Sequence, residues 1–223
     1  MESYRLRLNL LSDATFGRGD GVAGVVDAEV QHDPTGLPYL AGRTLKGLLG
    51  AECADIVFAV QQAKPDQDAR WAAAAERLFG RRGGALAGEA NLRVGSAQLP
   101  ADLRRRIAQD IGDGQITRAE VLESITALRR QTAMDVVTGA PLENTLRAMR
   151  VILRGIPFEA ELSFQQPPSD DERALLAACV KALRRAGTGR NRGRGKLKAE
   201  LLDAHKNLVT EALFASFRKA VAV

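Results

Sequence analysis

Apolar and polar residues alternate from Tyr4 to Leu10, with Tyr4, Leu6, Leu8 and Leu10 on one side and Arg5, Arg7 and Asn9 on the other. A period of two belongs to a strand with one buried face, so a half-buried strand is expected over 4–11. A helical period begins at Gly42, where Leu45, Leu48 and Leu49 fall on one face, and predicts a helix over 42–60. After the break at Lys64-Pro65 a second helix is expected over 67–79, ending at the glycine–arginine cluster that follows. Segments 25–33 and 91–99 read as strands, the second leading into helices near 100–111 and 117–129. Thr117 and Glu120 are spaced as a capping box for the latter. Strand patterns return at 148–153 and 158–164 around the turn Arg154-Gly155-Ile156-Pro157. A helix over 170–186, a strand over 197–202 and a terminal helix over 207–223 complete the pattern.

Strands interleaved with helices predict an α+β fold in which helices cover one sheet face. No internal repeat, linker or low-complexity tract divides the chain. One domain over 1–223 is expected, on a ferredoxin-like βαββαβ plan with helical insertions at about 51–80 and 100–128.

Charge changes this picture from a scaffold to a binding protein. The 223 residues carry a net charge of +5, and aromatic residues make up only 4%. Stacking platforms are therefore not the main binding device, whereas an arginine-rich surface suits a polyanion. The two cysteines, Cys53 and Cys179, lie in apolar helical stretches and read as core residues of a reducing compartment. Two histidines, His32 and His205, are too few for an imidazole-rich metal site. With no signal-peptide pattern and no apolar stretch of membrane-span length, a cytoplasmic location and no membrane partner are expected.

The strongest candidate site is GTGRNRGRGKLK, Gly187 to Lys198. Its spacing hints at a dinucleotide fingerprint, but that motif sits between a strand and a helix, and this one follows a helix. What remains is a glycine backbone able to approach a phosphate chain closely, with charge from Arg190, Arg192, Arg194, Lys196 and Lys198. Near DIGDGQITRAEV, a calcium-loop reading fails because Gln109 and Ile111 stand where carboxylates are needed, leaving a turn and a capped helix. Asp13, Asp20, Asp27 and Asp33 lie in or beside a glycine-rich segment flanked by basic residues. Loop solubility and Asx turns explain such residues. A divalent cation, or action on a hydroxyl, would explain them next to a nucleic acid.

Several segments together resemble the CRISPR RAMP superfamily. GVVDAEVQHDPTGLPYLAGRTLKGLLG (24–50) resembles the family's Asp-bearing strand before "G-L-P-Y-I-P-G-S-S-L-K-G". LFG (78–80) and NLRVGSAQL (91–99) continue the likeness, the latter with Ser96 in place of the usual Asp. Residues 129–162 resemble the "R-x-x-I-D-x-x-T-G-x-A" segment and the strand pair after it, and the glycine–arginine loop resembles the one that closes the motif set. The likeness is strongest to backbone subunits of type III effector complexes.

That resemblance implies a modified ferredoxin-like, RRM-related fold with a β-hairpin thumb at about 129–147, here carrying Arg130, Thr132, Met134 and Asp135. It implies CRISPR RNA, complementary target RNA, other effector subunits and further copies of related subunits as partners. It implies RNA contacts at Arg18, at the start of the first helix (Arg43, Thr44, Lys46), and along the glycine–arginine loop at 187–195. The loop residues are Gly189, Arg190, Arg192, Gly193 and Arg194, with Lys196 just beyond. It further implies metal-dependent cleavage of target RNA, with Asp27 as the catalytic residue and possible ligand of Mg²⁺ or another divalent cation. His32 and Asp33 are second choices. A non-catalytic RNA-binding scaffold remains open, as does an endoribonuclease processing precursor RNA with His32 as general base.

Overall fold

The computed structural model describes residues 3–21, 26–81, 89–135, 137–142 and 145–222. Its first strand, β1 (Ser3–Leu10), buries Tyr4, Leu6, Leu8 and Leu10 as the alternation predicts. Helix α1 (Gly42–Ala63) and helix α2 (Asp68–Phe79) follow, then the short strand β2 (Leu92–Val94). Helices α3 (Ala101–Gly112) and α4 (Arg118–Ile125) lead into strand β3 (Thr126–Gln131). Strands β4 (Arg147–Ile152) and β5 (Pro157–Phe164), helix α5 (Asp170–Ala182), strand β6 (Leu197–Leu202) and helix α6 (Thr210–Val221) complete the order.

The main sheet is antiparallel throughout, in the order β2-β5-β1-β6. Its inner face joins Leu6 and Leu8 to Phe158, Ala160, Leu162 and Leu201, all essentially inaccessible, under Leu45 and Leu49 of α1 and Leu175 and Leu176 of α5. Burying each leucine stabilises the fold by roughly 1.5–3 kcal/mol, which fixes the register of the two central strands.

Helix α1 starts unusually close to the sheet. A Cβ on Gly42 would lie 2.3 Å from the Val94 carbonyl oxygen, so only glycine admits this approach. Ala41 offers no side-chain cap, and the Ser96 hydroxyl accepts from the Gly42 N–H at 3.2 Å instead. The serine thus keeps a structural contact at the helix start.

Four expectations need correction. The helix expected to reach residue 129 ends at Ile125, because Thr126 onward is drawn into pairing with β4, Thr126 opposite Ile152 through Gln131 opposite Arg147. The turn at 154–157 does not close a hairpin. β4 belongs with β3 in a second, two-stranded sheet, and Gly155, at φ 86°, carries the chain over to β5 in the main one. Helix α5 stops at Ala182, because Arg185 and Ala186 turn back to pair with Lys196 and Gly195. The strand expected over 25–33 is, in its described part from Val26, an extended segment that changes partner at each step. Ala28 meets Met149, Val30 meets Gly17 and His32 meets Pro38.

Candidate nucleic-acid interface

Three segments distant in sequence meet at the root of the β3–β4 hairpin. β4 pairs with β3 along one edge and with residues 14 and 27–28 along the other. The Ala14 N–H donates to the Ile152 carbonyl at 3.0 Å, and the Arg150 N–H to the Ala28 carbonyl at 3.0 Å. Behind this edge Glu29 and Arg150 form a buried ion pair at 3.0 Å, their side chains 4% and 14% exposed. Arg150 also donates to the Thr126 hydroxyl at 3.3 Å. The pair fastens the Asp27 segment to the hairpin, and burial makes it a stiff fastening, since losing either partner would strand a charge.

The glycine–arginine loop is anchored from the other side. Thr188 donates its N–H to the Thr15 carbonyl at 2.9 Å, and Gly195 donates to the Asp13 carbonyl at 2.8 Å. Both anchors need glycine. A Cβ on Gly187 would lie 2.5 Å from the Thr15 oxygen, and one on Gly195 would lie 1.9 Å from the Ala186 oxygen, both at positive φ. Gly189 and Gly193 are also left-handed and bracket a single tight turn, Arg190 to Arg192, which carries exposed arginines.

Together these parts enclose a groove. Its central cleft, about 710 Å³, lies between Asp27 and Ala28, β4 at Arg147 to Met149, and the loop at Arg190, Arg192 and Arg194. Gln131, Arg147 and Arg192 also line an adjoining cleft of about 540 Å³ that runs toward Thr132 on the hairpin. Arg194, laid against the Met149 sulfur, is shared with a third cleft of about 640 Å³ at Asp13, Arg129 and Arg154. Arg147, Arg190, Arg192, Arg194 and Arg154 have no carboxylate at ion-pair distance among the described residues. Arg129 does, bonded to Asp13 at 2.9 Å. The groove is therefore a cationic track with one unneutralised carboxylate, Asp27.

Asp27 is exposed and held by backbone rather than by charge. Its N–H donates to the Ala148 carbonyl at 2.8 Å, and the Ala148 N–H donates to its Oδ2 at 2.7 Å. Its Oδ1 has no partner among the described residues, and Asp27 lines the central cleft. Among those residues no three carboxylate, imidazole or thiol side chains cluster as a metal site. Mg²⁺ commonly relies on one or two carboxylates plus substrate phosphates, and a single open carboxylate oxygen in a cationic phosphate track fits that mode only.

The other candidates are placed as follows. Asp33 spends its Oδ1 on the Thr35 N–H at 2.9 Å, the Thr35 hydroxyl at 2.6 Å and the Leu37 N–H at 3.0 Å, making it the staple of a turn. His32 Nδ1 lies 3.3 Å from Arg118 Nη2, on α4. Neither lines the central cleft. Arg18 is tied to Asp20 at 2.6 Å. Lys46 turns to the Leu92 carbonyl at 2.8 Å, where burial pushes its pKa down, and Arg43 and Lys196 are exposed outside the groove. Thr44 shares a separate small cleft with Arg190. On the hairpin, Met134 is exposed opposite Pro141, Arg130 is exposed opposite Ala148, and Asp135 caps the tip through Thr138 and Val137.

Sequence reasoning missed Arg147, Arg154 and the Glu29–Arg150 pair. No local pattern marks them, because their role depends on pairing across more than a hundred residues. The outward face of the main sheet, the surface an RRM-like protein uses for stacking, carries Arg5, Arg7, Asn9, Glu159 and Glu161, with no aromatic. Stacking of bases on aromatic rings is not available on that face.

The model of the RAMP superfamily matches residues 7–198. The chain belongs to the RAMP superfamily. Two solved structures share the fold of this RAMP chain. One is a cryo-EM structure of the Type III-B Cmr-beta bound to cognate target RNA, with 11% identity and a TM-score of 0.60, covering 95% of this chain and 98% of that one. The other is the Type III-B Cmr-beta in its apo state, with 11% identity and a TM-score of 0.59, covering 89% of this chain and 96% of that one. No curated protein matches. Among the described residues no helix is long and apolar enough to cross a membrane.

Proposed function

We propose that this RAMP protein is a CRISPR-RNA-binding backbone subunit of a type III effector complex. The observation that carries the reading is the run of adjoining cationic clefts between the hairpin root and the glycine–arginine loop. Arginines with no ion-paired carboxylate among the described residues, on a glycine-rich loop, suit a single strand held by its phosphates. The reading takes the main sheet, with its β1-α1-β2 and β5-α5-β6 units and order β2-β5-β1-β6, as a modified ferredoxin-like core. It takes the chain as one domain and the β3–β4 hairpin as the thumb. Membership in the superfamily, and a similar structure whose complex is bound to target RNA, support this assignment.

The placement of Asp27 favours a second activity, cleavage of the target strand. In that step the 2′-oxygen of the RNA bonds to the adjacent phosphorus and the P–O5′ bond breaks. Asp27 Oδ1 takes the 2′-hydroxyl proton, and the 5′-oxygen gains one from water, leaving a 2′,3′-cyclic phosphate and a 5′-hydroxyl. Arg147 and Arg190, which line the same cleft as Asp27, would offset the added negative charge on the phosphoryl oxygens. Alternatively, Asp27 would hold a divalent cation, which would supply Lewis-acid stabilisation of the same charge while water takes the proton.

One experiment tests both parts. The effector assembly is purified on this chain, wild type or Asp27→Ala, its bound RNA is quantified, and matched target RNA is added with Mg²⁺ or EDTA. Equal amounts of CRISPR RNA in both, with target cut only by wild type in Mg²⁺, is the expected result. Absence of CRISPR RNA from the wild-type assembly would contradict the binding role. Equal cutting by the variant would remove Asp27 from catalysis.

A further inference from the structure

A smaller cleft of about 330 Å³ lies between the extended segment at Phe16 and Gly17, the first turns of α1 and the glycine–arginine loop. Its floor is apolar, with Phe16 and Leu40 buried and Leu48 half-buried. Its rim is polar. Gln31 gives its Nε2 to the Tyr39 hydroxyl at 2.9 Å, which leaves Oε1 without a partner among the described residues. The Thr44 hydroxyl is exposed and likewise unpaired among them. Thr188 points its hydroxyl toward the Thr15 carbonyl at 3.4 Å and keeps its acceptor lone pairs, while Arg190 supplies donors at the mouth.

An apolar floor under mixed donors and acceptors is the lining a heterocycle takes, and the volume lies at the small end for a ligand pocket. A phosphate would find only one cation here. The cleft adjoins the groove, because Gly187, Thr188 and Arg190 line both. We propose that this cleft receives one nucleobase splayed out of the RNA strand whose phosphates lie in the groove. The inference rests on the RNA-binding reading above, and the shared wall is why the base comes from the strand rather than from a free nucleotide.

The test places 2-aminopurine, whose fluorescence rises when it is unstacked, at one position at a time in a short single-stranded RNA bound to the full chain. One register brightens several-fold, and an abasic nucleotide at that register weakens wild-type binding by roughly tenfold, against under about twofold elsewhere. Leu48→Trp, which fills the cleft, and the milder Gln31→Leu both abolish the brightening and leave the salt dependence of binding unchanged. Normal salt-dependent binding with no bright register, or brightening that survives both variants, overturns the cleft assignment while the groove stands. Displacement of the base by adenosine monophosphate at strand-like concentrations makes it a nucleotide site and overturns the assignment too. No RNA binding at all removes both readings together.

Discussion

At the residue scale, what a carboxylate does here is decided by who donates to it. Asp33, Asp135 and Asp203 each spend an oxygen on neighbouring backbone N–H groups and shape turns. Asp13 is neutralised by Arg129. Asp27 lines the cleft with one oxygen unpartnered among the described residues, and that distinction was not legible in a sequence where all these aspartates sit in similar polar loops. Asp135 gives a checkable case. The backbone N–H and hydroxyl of Thr138, then the Val137 N–H, hold its carboxyl below the usual range. A depressed folded pKa means the tip bonds contribute at pH values above the ordinary value of about 3.9, and are lost as pH falls through the lowered value. Carbon-13 NMR titration of Asp135 should give a midpoint below about 3.9, and a midpoint at or above it would contradict the capped tip. The same residue removed as Asp135→Ala should loosen the Val137 and Thr138 turn without disturbing the main sheet.

At the element scale, segments with a one-sided apolar pattern were readable and segments without one were not. β1, β5, β6 and the helices α1 and α2 announce themselves because a buried face imposes a period on their residues. β3, Thr126-Ala127-Leu128-Arg129-Arg130-Gln131, is exposed along half of its length and runs on from α4 without a breaking residue, so it read as helix. The extended segment around Asp27 has no period because its partner changes at every step, and only long-range pairing specifies it. Its attachment depends on the buried Glu29–Arg150 pair. Glu29→Gln leaves the arginine uncompensated and should destabilise the protein by about 3 kcal/mol, a fall in Tm of roughly 6–12 °C for a chain of this size. Glu29→Leu with Arg150→Met removes both charges and should cost less. Equal Tm for Glu29→Gln and wild type, measured by calorimetry, would show that the pair does not fasten the segment.

At the scale of the whole molecule, the main sheet and its helices position two loops and a hairpin so that their charges converge. The motif resemblance pointed to the loop and Asp27 separately, but not to their lining one cleft, since nothing in either segment encodes their separation in space. The net charge of +5 understates this asymmetry. The outward sheet face pairs arginine with glutamate, as Arg5 does with Glu159 at 3.3 Å, while the groove concentrates arginines that have no ion-paired carboxylate among the described residues. Affinity for RNA should therefore depend on a few residues and steeply on salt. The most direct measurement is the slope of log K against log salt for single-stranded RNA binding. Wild-type protein is compared with the triple variant Arg190→Ala, Arg192→Ala and Arg194→Ala. Each lost phosphate contact on a single strand reduces the slope by about 0.7, so the variant should bind more weakly with a slope flatter by about 2. An unchanged slope would mean that the groove does not hold the RNA backbone, and the account would fail.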